Sequence, residues 1–183
     1  MGASNSTPAQ VMFSEILPET SEEGHCGSIY CSKVKLDMSG RPATLYEMFQ
    51  QGLQKASTKP CLGQRTKLAD GIAGPYEWMT YAQVYERVSA IAAGLVEECS
   101  ARRGDFVGVF SKNVPEWVLV EQACNRQSLV LVPLYDTLGP DVVPYIVNHV
   151  EMRVLVCGAA QAEVVLQCLG ECPTLEYLIV FDD

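Results

Sequence analysis

Four short apolar runs alternate with amphipathic segments over the second half of this chain. Each run has the length of a strand, and each segment between two runs is long enough for a helix. Strands that alternate with helices pair in parallel and are joined by right-handed crossovers. The chain is therefore predicted to have an α/β fold, with a mostly parallel sheet flanked by helices. The runs are Phe106–Phe110, Leu129–Leu134, Val154–Cys157 and Leu175–Phe181.

The stretch from Asn113 to Pro140 contains a helix, a strand and a polar loop in succession. Asn113 is a predicted N-cap, because an Asn side chain accepts from the unpaired N–H groups of the first helical turn. Pro115 suits that turn, where its missing N–H costs nothing. The continuous apolar run Leu129–Leu134 predicts a strand covered on both faces. A strand tip is the usual position for ligand contacts, and here it carries Tyr135–Thr137.

The first half of the chain contains a predicted helix and a hairpin. Apolar residues at helical spacing from Leu45 to Leu53 indicate an amphipathic helix. Turn residues between Ala69 and Pro75 predict a hairpin of two strands, Pro60–Leu68 and Tyr76–Met79. Thr80 followed by Gln83 is a capping box that opens the next helix. Apolar residues from Val84 to Leu95 form the buried face of that helix, and those from Val118 to Cys124 recur at helical spacing in the Asn113 helix. Further helices are predicted over Asp141–Val150 and Ala160–Leu169.

Charge and composition exclude several classes of protein. The net charge of −9 disfavours nucleic-acid binding, which requires clustered Lys and Arg. No apolar run approaches the ~20 residues that a membrane-spanning helix needs. The eight cysteines lack the spacing of zinc ligands, so reduced thiols of a cytoplasmic protein are favoured over metal sites and disulfides.

The polar segment 1–39 is predicted to be a flexible tail with a short edge strand, Ser32–Met38. Its start, MGASNS, matches the myristoylation pattern at Gly2, and an ordinary unmodified start is the alternative. One acyl chain binds membranes weakly, so a second signal is needed. Palmitoylation of Cys26 or Cys31 would supply it, although unmodified thiols are favoured at each position. The resulting expectation is a cytoplasmic protein associated with the cytosolic face of a membrane.

Several motifs in the same order resemble one enzyme family. NVPEW followed by VPLYDTLGP is similar to the N-terminal region of long-chain fatty-acid–CoA ligases, of the adenylate-forming superfamily. The likeness extends to TLYEMFQQGL, PCLG, GPYEWMTYAQV and the closing YLIVFDD. It implies that residues 40–183 are the incomplete N-terminal part of an AMP-binding α/β domain. The signature residues are Asn113, Pro115, Glu116, Trp117, Pro133, Leu134, Tyr135, Asp136, Thr137 and Gly139.

The resemblance also implies a reaction. The complete enzyme would use ATP and Mg²⁺ to join a long-chain fatty acid to CoA through an acyl-adenylate. The family's phosphate loop, rich in Ser, Thr and Gly and ending in Pro-Lys, has no match in this chain. No catalytic residue is therefore assigned, and this segment alone is expected to be inactive and to bind no cofactor. The alternative is a truncated, non-catalytic module that regulates or binds partners at a membrane.

The remaining polar and aromatic candidates favour structural roles. Tyr135–Thr137 are interpreted as turn residues that satisfy local backbone groups, with ligand contact as the alternative. His149 lies near a predicted helix C-terminus, and no neighbouring nucleophile motif supports triad chemistry. Trp78 and Trp117 are predicted to anchor the core.

Overall fold

The computed structural model describes residues 14–16, 30–32, 39–68, 71–135, 137, 139 and 141–181. They divide into two compact units, residues 1–41 and 42–183. In the first unit, β1 (Ser14–Ile16) pairs antiparallel with β2 (Tyr30–Ser32). Most of the predicted edge strand Ser32–Met38 lies outside the described residues.

The second unit contains a hairpin and a four-stranded parallel sheet. In chain order the elements are α1 (Leu45–Ala56), β3 (Pro60–Lys67), β4 (Ala73–Thr80), α2 (Tyr81–Glu97), β5 (Phe106–Phe110), α3 (Pro115–Gln127), β6 (Val130–Leu134), α4 (Val142–His149), β7 (Val154–Gly158), α5 (Ala159–Gln167) and β8 (Tyr177–Phe181). The hairpin pairs β3 with β4, and the sheet has the order β6-β5-β7-β8, so the predicted parallel pairing is confirmed.

The prediction that the Leu129–Leu134 run is a strand covered on both faces is confirmed in part, since Leu131 packs against the buried residues of one core and Val132 against those of the other. The run forms β6 from Val130 onward, and β6 is an edge strand in which Val130 is 42% exposed. The chain places β5 and β7 at the centre of the sheet, and every residue of β7 is buried. A continuous apolar run therefore does not distinguish a central strand from an edge strand.

Helices cover both faces of the sheet and enclose two cores. On one face, buried residues of α2 and α3 pack against β5 and β7; on the other, α4 and α5 do so. The first core includes Val84, Val88, Ala92, Leu95, Val107, Val109, Leu119, Val120, Ala123 and Cys124. The second includes Phe110, Leu134, Val143, Val147, Met152, Leu155, Cys157 and Val165.

The helix starts confirm one predicted cap and correct another. The Thr80 hydroxyl accepts from the Gln83 N–H, and the Gln83 side chain accepts from the Thr80 N–H, which completes the capping box of α2. Asn113 does not cap α3. Val114 takes the N-cap position in extended backbone (φ −131°, ψ 160°) without a side-chain cap bond, because the helix begins one residue later, at Pro115.

The predicted hairpin is confirmed, with a longer second strand than the apolar pattern indicated. Strand β4 begins at Ala73, within the segment predicted to be a turn. Trp78 is not a core anchor, since 55% of it is exposed. The Trp78 ring lies over Gly63, its register partner on β3. The ring therefore packs on the surface of the hairpin and not in the core.

Buried thiols should be protected from alkylation. Burial, reinforced by the Glu121 carboxylate, raises the pKa of the Cys124 thiol to about 12, and burial raises that of Cys157 to about 11. We expect iodoacetamide at pH 8 to label the partly exposed Cys168 and to spare both buried thiols until the protein unfolds. Mass spectrometry of peptides from native and urea-treated protein is the measurement.

The same shifts predict how stability depends on pH. The folded state keeps these thiols protonated above the ordinary pKa of 9.0, so their contribution to stability is complete below about pH 9. It is lost as the pH rises through about 11 to 12. In the iodoacetamide experiment, rapid labelling of Cys124 in native protein at pH 8 would contradict the burial of this thiol and therefore the raised pKa.

Candidate functional site

The carboxyl ends of the parallel strands form one candidate site. From β5 the chain passes to β6 on one side and then to β7 on the other, so the strand order reverses between β5 and β7. Ligands of open α/β sheets bind at such a switch point. Ser111 follows β5, Tyr135 follows β6, and α5 begins directly after Gly158 of β7. Because Phe110 is in register with Leu134, Ser111 and Tyr135 leave the sheet at the same level.

The second group of signature residues lies partly at this edge. Pro133 occupies β6, where the edge position tolerates a missing N–H. Tyr135 is 55% exposed, and Thr137 is exposed as well. Gly139 has φ +97°, a conformation that favours glycine. Asp136 lies outside the described residues, so its predicted role as a turn residue stays a prediction.

The first group of signature residues lies at the start of α3. Pro115 is the first residue of the helix and is buried, while Glu116 and Trp117 are half-buried. Trp117 packs against the first core, which agrees with its predicted role as an anchor. Asn113 is exposed in the loop that leads from β5 into the helix.

Two open clefts separate this end of α3 from the β3–β4 hairpin. Their volumes are about 450 and 460 Å³, within the range of small-molecule sites. Leu62, Gln64, Arg65 and Pro115 line both clefts. The first adds the charged groups Glu77, Arg87 and Glu116, and the second adds Tyr76, Asn113 and Trp117.

An aromatic stack forms the hairpin wall of these clefts. Tyr76 and Trp78 stack with their centroids 5.6 Å apart, and the Arg65 guanidinium lies 5.7 Å from the Tyr76 centroid. The Arg65 Nε donates to the Gly74 carbonyl at 2.9 Å, which fixes the guanidinium over the ring. The sequence pattern did not identify these residues as a site. The available signal was the i, i+2 spacing of Tyr76 and Trp78, which puts both rings on one face of a strand.

A second cation–aromatic cluster connects the first three helices. Arg126 of α3 donates to the Tyr46 hydroxyl at 3.2 Å and to the Ser89 hydroxyl at 3.1 Å. Its guanidinium also lies 5.3 Å from the Tyr85 ring centroid. Hydrogen bonding to Arg126, together with its positive charge, lowers the pKa of Tyr85. The cluster positions α1 against α2 and α3, since its members come from all three helices.

The histidine within the described residues is His149, which is exposed at the end of α4, as predicted. Its ring stacks on that of Tyr145 with the centroids 5.7 Å apart. Among the described residues no group of three or more His, Cys, Asp or Glu side chains could hold a metal ion. The clefts therefore offer aromatic, amide and charged groups for binding.

The predicted lipidation sites are only partly within the described chain. Gly2 and Cys26 lie outside it, so their modification stays a prediction. Cys31 is a free, half-buried thiol in β2, and its Sγ lies 3.8 Å from a Glu15 carboxylate oxygen. Over the residues that the structure describes, no helix has both the length and the apolarity to span a membrane.

Sequence comparison identifies relatives for most of the chain. The family model described as AMP-binding enzyme matches residues 50–183. Long-chain-fatty-acid–CoA ligase 1 of Cavia porcellus is 40% identical over 143 residues, which are 76% of this chain and 20% of that protein. The peroxisomal long chain acyl-CoA synthetase 6 of Arabidopsis thaliana is 35% identical over 174 residues, 92% of this chain and 24% of that protein. The chain thus spans about a fifth to a quarter of the length of these relatives.

Solved structures share the fold. The anthranilate CoA ligase AuaEII, in complex with anthranoyl-AMP, superposes with a TM-score of 0.66 at 21% identity, over 80% of this chain and 27% of that one. A putative long-chain-fatty-acid CoA ligase from Rhodopseudomonas palustris gives a TM-score of 0.61 at 20% identity, over 76% of this chain and 33% of that one. At these identities the similarity establishes the α/β architecture alone.

Proposed function

This chain belongs to the AMP-binding enzyme family, and we propose that it acts as the N-terminal part of a ligase that joins long-chain fatty acids to CoA. The observation that carries the proposal is its 40% identity to a long-chain-fatty-acid–CoA ligase over 143 residues. The complete reaction would activate the fatty acid with ATP as an acyl-adenylate and then transfer the acyl group to CoA.

The residues of this chain do not fit the ATP phosphates or Mg²⁺. Phosphate binding of this kind requires converging backbone N–H groups and a cation, and no Ser/Thr/Gly-rich loop ending in Pro-Lys occurs in the sequence. The described residues also lack a cluster of carboxylates that could hold a divalent cation. We propose that the contribution of this segment to the complete enzyme is structural.

The structural contribution would be a rigid sheet that carries the switch point between β5 and β7 and adjoins the hairpin clefts. The buried strands β5 and β7 fix the switch point, and α3 holds its first turn against the hairpin clefts. A site assembled on such elements keeps its geometry because the supporting side chains are fully packed. This part of the enzyme would hold the loops after β5, β6 and β7 in position.

Membrane attachment through the N-terminus is a further part of the proposal. Gly2 followed by Ser6 fits the myristoylation pattern, and Cys26 and Cys31 are candidate second acylation sites. An acyl anchor on the cytosolic face would keep the enzyme close to its apolar substrate. The acidic residues between Glu15 and Glu23 imply that electrostatic attraction to anionic lipids contributes little.

A chimeric ligase tests the proposed function. Residues 50–183 of this chain would replace the matching stretch of the Cavia porcellus relative, and palmitoyl-CoA formation from palmitate, ATP and CoA would be measured. We expect activity within about tenfold of the parent, a difference of about 1.4 kcal/mol in the barrier. The relative with that stretch deleted is the negative control. A soluble, folded chimera with no more turnover than the deletion would refute the proposal.

A further inference from the structure

Two cysteines lie on the turn that follows α5. Cys168 directly follows the helix, a single 3₁₀ turn occupies Leu169–Glu171, and Cys172 comes next. The Glu171 N–H donates to the Cys168 carbonyl at 2.9 Å, and the Cys172 N–H donates to the Leu169 carbonyl at 3.0 Å. These bonds fold the segment into one compact turn that carries both thiols.

The two thiols are in contact and differ in their access to solvent. The Cys168 Sγ lies 3.4 Å from the carbonyl oxygens of Val164 and Val165, and the Cys168 and Cys172 thiols are hydrogen-bonded to each other. Cys168 is half-buried, whereas Cys172 is only 2% exposed and belongs to the second core. The pair therefore combines one thiol that a small molecule can reach with one that is shielded from it.

The turn is anchored to the core and has open space on one side. The Asn148 Nδ2 donates to the Glu171 carbonyl at 2.8 Å, which ties the turn to the end of α4. A Cβ built on Gly170 meets no heavy atom within 4 Å, so the turn is open at that position. A disulfide requires Cβ atoms about 3.5–4.5 Å apart. Thiols that are already in contact need only a short approach to reach that geometry.

We propose that Cys168 and Cys172 form a reversible disulfide when the protein meets a hydroperoxide, and that Cys168 reacts first. The Cys168 sulfur attacks the peroxide, so that an S–O bond forms and the O–O bond breaks. The departing oxygen takes up the thiol proton and leaves as an alcohol or water. The Cys172 sulfur then attacks the resulting sulfenic acid. The S–S bond forms, the S–O bond breaks, and the hydroxyl leaves as water with the Cys172 proton.

The electron count of this reaction closes, and the order of its steps follows from burial. The two thiols lose two electrons together, and one hydroperoxide gains them. Burial, with a smaller contribution from the neighbouring Cys168, raises the pKa of Cys172 to about 11, so this thiol stays protonated at neutral pH. A protonated, shielded thiol is a poor nucleophile toward peroxide. Once the sulfenic acid has formed beside it, however, the second step is intramolecular.

A disulfide at this position would have a regulatory character. Both cysteines are free thiols in the structure, and disulfides of cytosolic proteins are usually transient and redox-sensing. The bond would connect the end of α5 to the segment that leads into β8, and would thus restrain the turn that α4 also contacts. This inference is independent of the proposed function.

Proteolytic cleavage between the two cysteines tests the proposal. The folded full chain would be treated with a small excess of hydrogen peroxide, blocked with iodoacetamide, denatured and digested with a glutamate-specific protease. Cuts after glutamates place Cys168 in peptide 164–171 and Cys172 in peptide 172–176, whereas Cys157 falls in a third peptide. We expect the first two peptides to be joined in most molecules, with a mass about 2 Da below the sum of the two thiol peptides, and to separate on reduction with dithiothreitol.

Variants identify the role of each thiol. Cys168→Ser should abolish the link. Cys172→Ala keeps the buried position apolar and should leave a sulfenic acid on Cys168, which dimedone traps. Cys61→Ser is the matched control, since Cys61 is another half-buried thiol, and it should leave the yield of linked peptide unchanged. Circular dichroism would verify that the variants fold, and the wild-type peptides decide the outcome where one does not.

Two results in the wild-type protein would overturn the proposal. In the first, the two peptides stay separate after peroxide treatment, whether Cys168 is unchanged or oxidised alone to a sulfinic acid. In the second, Cys168 forms its disulfide with a thiol other than Cys172, in the same chain or in another.

Discussion

Gly108→Ala should destabilise the protein by about 1–3 kcal/mol, whereas Gly94→Ala should stabilise it by about 0.5–1 kcal/mol. A Cβ on Gly108, in the central strand β5, would lie 2.5 Å from the Met152 Sδ and 2.6 Å from a Leu155 methyl carbon. Both neighbours are 0% exposed, so neither can move aside without disturbing the second core. The destabilisation caused by overpacking therefore exceeds the stabilisation that alanine provides by restricting the unfolded chain.

Gly94 provides the matched control because its surroundings are open. No heavy atom lies within 4 Å of a Cβ built there, and the position is in helix α2, where alanine is the better residue. Urea unfolding followed by circular dichroism gives both free energies of unfolding. Equal effects of the two substitutions would contradict the packing described around β5.

Gly2→Ala should move the protein from the membrane fraction to the soluble fraction of eukaryotic cells. The substitution removes the residue on which a myristoyl chain is built. Each buried CH₂ contributes ~0.8 kcal/mol, so one myristoyl chain holds weakly and an added palmitoyl chain makes attachment stable. A Cys26→Ser/Cys31→Ser double variant should consequently retain a weak, reversible association. High salt should release little wild-type protein, because the attachment is not electrostatic.

Intact mass of the N-terminal peptide identifies the modification itself. A gain of one myristoyl group on Gly2 is expected. An unmodified Gly2, or unchanged fractionation of Gly2→Ala, would contradict the anchor.

Local signals in the sequence predicted the elements well and their environments less well. Strand Phe106–Phe110 and the Thr80 capping box follow the sequence pattern closely, because both depend on neighbouring residues. The edge position of β6 depends on which strands pair, and an apolar run carries no information about that. The prediction that Asn113 caps α3 was wrong for a related reason. The start of a helix can shift by one residue, and here Pro115 is suited to the first helical position.

The candidate site, too, could be predicted from the sequence only in part. The resemblance identified Pro115 and Trp117 as signature residues, and both lie where α3 meets the hairpin clefts. The opposite wall, formed by Arg65 and Trp78, arises from cross-strand register on the hairpin. Register is set by tertiary pairing, so the partnership between Trp78 and Gly63 could not be read from hydrophobic spacing alone.

We propose that this chain supplies a scaffold for fatty-acid activation and does not itself hold the ATP phosphates. Pyrophosphate release by purified residues 1–183, with palmitate, ATP and Mg²⁺, tests it most directly. We expect a rate equal to the control without protein. Palmitate-dependent release above that control, abolished by substitutions in the hairpin clefts such as Arg65→Ala or Arg87→Ala, would contradict the claim and identify a catalytic site in this chain.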